Sequence, residues 1–154
     1  MLEFKMIDEI LKVAAGSTPD PERSLNNLST FFDKNLSGKD EFNAYLREIS
    51  LLFSVSQFLA NYSIANPEVL FEVIQDLENA SDKNSLSSLL KEYCNSVNAG
   101  PHRAAMSFYM KVMREFKLKE LLRITLRDIL NKTDLVNIML ELSALADVVI
   151  VRGC

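Results

Sequence analysis

This 154-residue chain has one histidine, two cysteines, no tryptophan, four glycines and four prolines. Each shortage excludes something. A lone histidine, His102, cannot form a histidine-based metal cluster or supply a hydrolase triad without partners. Two cysteines, Cys94 and Cys154, do not make a disulfide framework. Their expected state is reduced thiols, with Cys94 a core thiol on a helix beside Leu90 and Val97. No apolar run approaches the roughly 20 residues of a membrane span. The acidic, amphipathic start MLEFKMIDEILK does not fit a secretory signal. No membrane partner is therefore expected, and the expected location is cytoplasmic. A net charge of -4 gives no clustered basic surface for phosphates, so no nucleic-acid partner is expected either.

Phosphate-handling patterns are missing as well. There is no Gly-x-x-x-x-Gly-Lys and no Gly-x-Gly-x-x-Gly. Gly16-Ser17 followed by Asp20 and Glu22 superficially echoes a nucleotidyltransferase Gly-Ser…Asp-x-Asp pattern. The spacing is too short, and the residues fall in a helix connection. Paired carboxylates suited to Mg²⁺ are not evident. The residues thus offer no catalytic, cofactor-binding or metal-binding set.

What is present is helical periodicity. With 48% apolar residues the chain can bury a core without staples. Breaks fall at Gly16–Pro21, Ser37–Lys39, Pro67 and Gly100–Pro101, and apolar residues between them recur at three and four. The first segment, about 2–15, carries Phe4, Ile7, Ile10, Leu11 and Ala14. Asp20 is an N-cap candidate before Pro21 at the first helical position. A third segment starts at Asp40, with Phe42, Tyr45, Leu46 and Ile49. A fourth covers about 54–65 and stops before Pro67. The fifth presents Leu70, Phe71, Ile74 and Leu77. Residues 79–85 read as a loop, and a sixth helix carries Leu86, Leu89, Leu90, Tyr93 and Val97.

The seventh helix runs from Pro101 to about Leu130. The eighth starts near Thr133 or Asp134, with Leu135, Ile138, Met139, Leu142, Leu145 and Val149. Val148–Val151 reads as its end rather than a strand. The predicted fold is all-α, a bundle-like array of seven or eight helices without a sheet. It forms a single helical domain over 1–154: a lead helix to 19, an array over 20–98, and the last two helices over 99–152.

The seventh helix is apolar nearly all round, the mark of a central helix. Its exception is a narrow stripe of Glu120, Arg123 and Arg127. Glu120 can pair with Arg123, and Asp128 with Lys132. Two readings of the stripe stand: a buried network tying helices together, or a basic strip that docks an acidic or phosphorylated partner.

The segment REFKLKELLRITLRD (Arg114–Asp128) followed by DLVNIMLELSALAD (Asp134–Asp147) resembles a helical stretch of the bacterial glutamine synthetase adenylyltransferase/deadenylyltransferase family. The charged matches are Arg114, Lys117, Lys119, Glu120, Arg123, Arg127, Asp128, Asp134, Glu141 and Asp147. Two upstream stretches are similar to that family and in the same order: DPERSLNNLSTFF at Asp20–Phe32 and LLFSVSQFLANYSIANPEVL at Leu51–Leu70.

The resemblance implies the helical lead-in to the first nucleotidyltransferase domain, the half associated with deadenylylation. Full-length members add AMP to a tyrosine of glutamine synthetase and remove it by phosphorolysis. The catalytic motif is then expected beyond residue 154, and this chain is a truncated, inactive module. Mg and ATP/AMP are expected only for the full-length enzyme. The implied partners are the nucleotidyltransferase domain of the same protein, glutamine synthetase and a PII-type signal protein. Arg114, Lys117, Glu120, Arg123, Arg127, Asp128, Glu141 and Asp147 are assigned structural or interdomain roles. The alternative is a stand-alone helical interaction domain.

Overall fold

The computed structural model describes residues 2–35, 39–97 and 106–151. His102, Cys154 and the breaks at Gly38 and Gly100–Pro101 lie outside the described residues. The described residues form α-helices and no strand. In order they are α1 (Leu2–Gly16), α2 (Pro21–Lys34), α3 (Lys39–Ala44), α4 (Leu46–Val55), α5 (Gln57–Ala65), α6 (Pro67–Gln75), α7 (Lys83–Val97), α8 (Met106–Ile129) and α9 (Leu135–Val151). The all-α expectation holds, and Val148–Val151 ends a helix as its spacing predicts.

The expected third and fourth segments resolve into three helices. Ser56 supplies a start that periodicity hides. It is extended, at φ -141° and ψ 105°, and its hydroxyl accepts from the Leu59 N–H. That capping bond ends α4 and opens α5 with no glycine or proline in between. The starts at Asp20 and Asp134 follow their sequence signals, Asp82 opens α7 within the expected 79–85 loop, and Asp40, expected as an N-cap, lies instead in the first turn of α3. Asp20 accepts from the Arg23 N–H ahead of Pro21. Asp82 accepts from the Ser85 N–H and Asp134 from the Asn137 N–H.

The chain packs as two compact units, 1–75 and 76–154. In the first unit α2 lies against α1, α4 and α5. Leu28, Phe31, Ile49, Leu52, Phe53 and Leu70 are almost completely buried there. The Phe31 ring stacks on Phe42 at 5.3 Å, meets Phe53 at 5.8 Å, and takes Phe71 edge-on at 6.1 Å. These separations suit offset and edge-to-face aromatic pairs.

Three polar residues of α2 also reach across to α4. The C-terminal carbonyls of α4 have no partner within their own helix. Arg23 Nη1 donates to the Ser54 carbonyl at 3.1 Å, and Asn27 Nδ2 to the Phe53 carbonyl at 3.1 Å. Ser24 Oγ donates to the Ser50 carbonyl one turn earlier. Asn27 and Gln57 also exchange amide hydrogen bonds at 3.1 and 2.9 Å. α2 therefore both buries its aromatic stripe and caps its neighbour.

In the second unit α9 packs on both α7 and α8. Leu86, Leu90, Cys94, Val112, Phe116, Ile124, Ile138, Leu145 and Val148 form one buried cluster. Cys94 sits in this core as expected, but it is disulfide-bonded, which corrects the expectation of a reduced thiol.

Phe31→Ala should cost about 3–5 kcal/mol in chemical denaturation, because it empties a fully buried aromatic site. Phe58→Ala, at a ring that is 61% exposed, should stay within about 0.5 kcal/mol in the same measurement.

A buried arginine and glutamate cluster as candidate functional site

The polar stripe of α8 faces inward. At positions three and four apart, Glu120, Arg123 and Arg127 share one side of the helix. They are 5%, 4% and 4% exposed, and Glu141 of α9 joins them at 4%. Charges this buried must be matched to one another. Arg123 Nε donates to Glu120 Oε2 at 2.9 Å. Arg123 Nη1 lies 3.2 Å from Glu141 Oε2. Arg127 Nε donates to Glu141 Oε1 at 3.2 Å. Two cations and two anions give a cluster without net charge.

The remaining guanidinium donors grip backbone. Arg127 Nη1 donates to the Leu77 carbonyl, and Arg123 Nη1 to the Asn79 carbonyl at 2.8 Å. The turn from Asp76 through Ala80 thus has carbonyls fixed from α8. Lys132 pairs with Glu78 of the same turn. Its expected partner was Asp128, which instead lies exposed on the outer side of α8. Arg123 Nη2 and Glu141 Oε2 are buried without a hydrogen-bond partner among the described residues. Both belong to the Arg123–Glu141 ion pair, so their charges are matched even where hydrogen bonding is incomplete.

The end of α8 sets this geometry. Asn131 has φ 52°, in the left-handed region that asparagine tolerates better than most residues. Its N–H bonds to the Asp128 carbonyl at 3.0 Å, and the Lys132 N–H to the Arg127 carbonyl at 2.9 Å. These two bonds make a Schellman termination. It reverses the chain within Asn131–Thr133, so that α9 returns along α8 and carries Glu141 back to both arginines. The sequence signal is an asparagine just past the last periodic residue. The gripped carbonyls of Leu77 and Asn79 are backbone atoms and leave no side-chain signature.

The other motif residues are not in this cluster. Arg114, Lys117 and Asp128 are exposed. Asp147 is exposed and pairs with Lys83 of α7 at 2.9 Å. Among the described residues no three His, Cys, Asp or Glu side chains gather closely enough to hold a metal ion. No helix among them is long and apolar enough to cross a membrane. The arrangement can hold α8, α9 and the 76–80 turn in one geometry. It presents no nucleophile or metal-binding carboxylate set to a substrate.

Glu141→Gln keeps the shape but leaves two buried arginines with one carboxylate. It should destabilise the chain by about 3 kcal/mol, whereas Arg114→Ala and Lys117→Ala should stay within about 0.5 kcal/mol. Equal losses in thermal or chemical unfolding would count against a structural cluster. Glu78 is held below the usual carboxylate range, first by the hydrogen bond from Lys132 and then by that ammonium's charge. A depressed acid stabilises the fold above its unfolded pKa, and the contribution is lost as pH falls through the folded pKa. Lys132→Met should return Glu78 to the ordinary range in a carbon-13 NMR titration and remove that acid-side loss.

Comparison with known proteins follows the same residues. No curated protein and no solved structure matches the chain significantly. The sequence does match the glutamate-ammonia ligase adenylyltransferase family over residues 46–154, which takes in α4 to α9 and the whole arginine and glutamate cluster. The earlier DPERSLNNLSTFF stretch lies outside the matched span. The chain belongs to the glutamate-ammonia ligase adenylyltransferase family.

Proposed function

We propose that this chain is a non-catalytic helical module of a glutamine synthetase adenylyltransferase/deadenylyltransferase. In this reading it packs against the nucleotidyltransferase core that adds or removes AMP. The observation that carries the reading is the family match over helices whose most buried charges neutralise one another. Glu120 and Glu141 are spent on Arg123 and Arg127, so they are not available to bind a nucleotide-bound metal.

The role that fits is support. A rigid α8–α9 hairpin, with the 76–80 turn tied to it, offers a defined surface to a partner domain. Mg and ATP/AMP belong to the nucleotidyltransferase core in this reading, and no step of adenylyl transfer is assigned to the described residues. Glutamine synthetase and a PII-type signal protein are then partners of the assembled enzyme. The proposed setting is cytoplasmic nitrogen metabolism.

The test is reconstitution. The chain should co-elute with a separately produced nucleotidyltransferase domain of this family. It should show no Mg²⁺-dependent ATP or ADP binding of its own in calorimetry. Failure to associate, or nucleotide binding by the isolated chain, would count against the module reading. Capture of neither the nucleotidyltransferase domain nor glutamine synthetase would leave a stand-alone interaction domain.

A further inference from the structure

An apolar groove of about 530 Å³ runs between α1 and α4, within the first unit. Met6, Ile10 and Val13 form its α1 wall at spacings of four and three, and Leu46 lines it from α4. The α1 wall is open to solvent: Met6 is 61%, Ile10 44% and Val13 75% exposed. Ala14 and Ser50 also line the groove, and side chains this short leave space between the two helices. The volume falls among small-molecule pockets, which span about 300–1,000 Å³. The α1 wall precedes the matched span 46–154, so the family segment alone does not supply this groove.

The polar groups on the lining select the ligand. Ser17 Oγ donates to the Ala14 carbonyl and Ser50 Oγ to the Arg47 carbonyl, each at 2.9 Å, so both hydroxyl protons are used inside the helices. Among the described residues on the lining, Glu9 is the one acid and Arg47 the one base. Glu9 pairs with Lys12 at 3.2 Å. The exposed Arg47 guanidinium has no hydrogen bond or ion pair among the described residues. The groove thus combines an apolar body with one uncommitted cation. A polyol would lose water from its hydroxyls against Met6, Ile10 and Val13 without repayment. A cation would meet Arg47 as a like charge. An apolar molecule with a carboxylate head satisfies both features, because the guanidinium fork can donate to both carboxylate oxygens.

Shape argues against a protein helix as the occupant. From Met6 to Ser17, α1 rises about 16 Å. A helix of about 10 Å diameter occupies roughly 1,200 Å³ over that length, more than twice the groove. A hydrocarbon chain or ring enters where a helix would rest on the mouth. We propose that the α1–α4 groove binds a monomeric apolar carboxylate, with its body along α1 and its head on Arg47.

The test titrates the full chain with octanoate, octanol and octyltrimethylammonium. Octanoate should bind at one site with a Kd below about 1 mM, which is within reach of a ligand this small. It should shift the Met6 methyl signal in NMR spectra. Arg47→Gln should weaken octanoate about tenfold and leave octanol within about twofold. Val13→Glu, at a largely exposed position, should abolish octanoate binding with unchanged circular dichroism. No saturable octanoate binding up to about 1 mM overturns the proposal. So does octyltrimethylammonium binding as tightly as octanoate, or octanoate binding indifferent to Val13→Glu or Arg47→Gln. Binding to phosphatidylglycerol vesicles in place of the monomeric acid also overturns it. So does self-association that Val13→Glu removes and octanoate does not, since a second copy would then cover the groove.

Discussion

The second unit depends on one constraint: two arginines and two glutamates taken out of water must stay matched. Each ion alone would cost several kcal/mol to bury. Together they are neutral, and their distances of 2.9–3.2 Å leave little freedom in how α8 and α9 lie. Arginine suits this task because its planar fork can serve a carboxylate and a carbonyl at once. Arg123 and Arg127 both do so, reaching Asn79 and Leu77 on the same turn. Around the cluster, Ile124, Ile138, Leu145 and Val148 supply the apolar burial. The charges contribute specificity: a sliding hairpin would keep its leucines buried but break its ion pairs.

The first unit solves a similar problem with neutral groups. α4 ends without glycine, and its last carbonyls would be left unpaired beside a packed helix. Asn27 and Arg23 of α2 satisfy them from across the interface. Removal of a buried partner costs more than the bond itself contributes, since the orphaned group keeps its desolvation penalty. Polar residues of α2 are therefore among those that hold α4 in place.

Helix identity was legible because the spacing is strong and the starts are marked. Asp20 and Asp134 cap as their positions suggest, and Pro21 and Pro67 stand at first helical positions. The miss at Ser56 has a local cause: a serine cap without proline or glycine looks like any polar residue inside a long apolar pattern. The cluster was half legible. Glu120, Arg123 and Arg127 stand on one stripe within a single helix, so periodicity finds them. Glu141 is fourteen residues beyond Arg127 and joins them only because the chain reverses at Asn131. Arg114, Lys117, Asp128 and Asp147 carry the same family resemblance but stay in solvent, so likeness of motif did not separate buried charges from exposed ones.

The sequence by itself determined the class of the fold, the existence of a polar stripe on α8 and the family, since all three are written in local patterns. Tertiary structure decided which readings of those patterns apply. It chose the buried network over the basic docking strip, because closing α9 onto α8 removes the arginines from water and leaves Glu120, Glu141 and two backbone carbonyls as their partners. It moved Lys132 from Asp128 to Glu78. It also divided α9 into a used face and an open one, a distinction that a helix apolar on every side does not carry in its sequence.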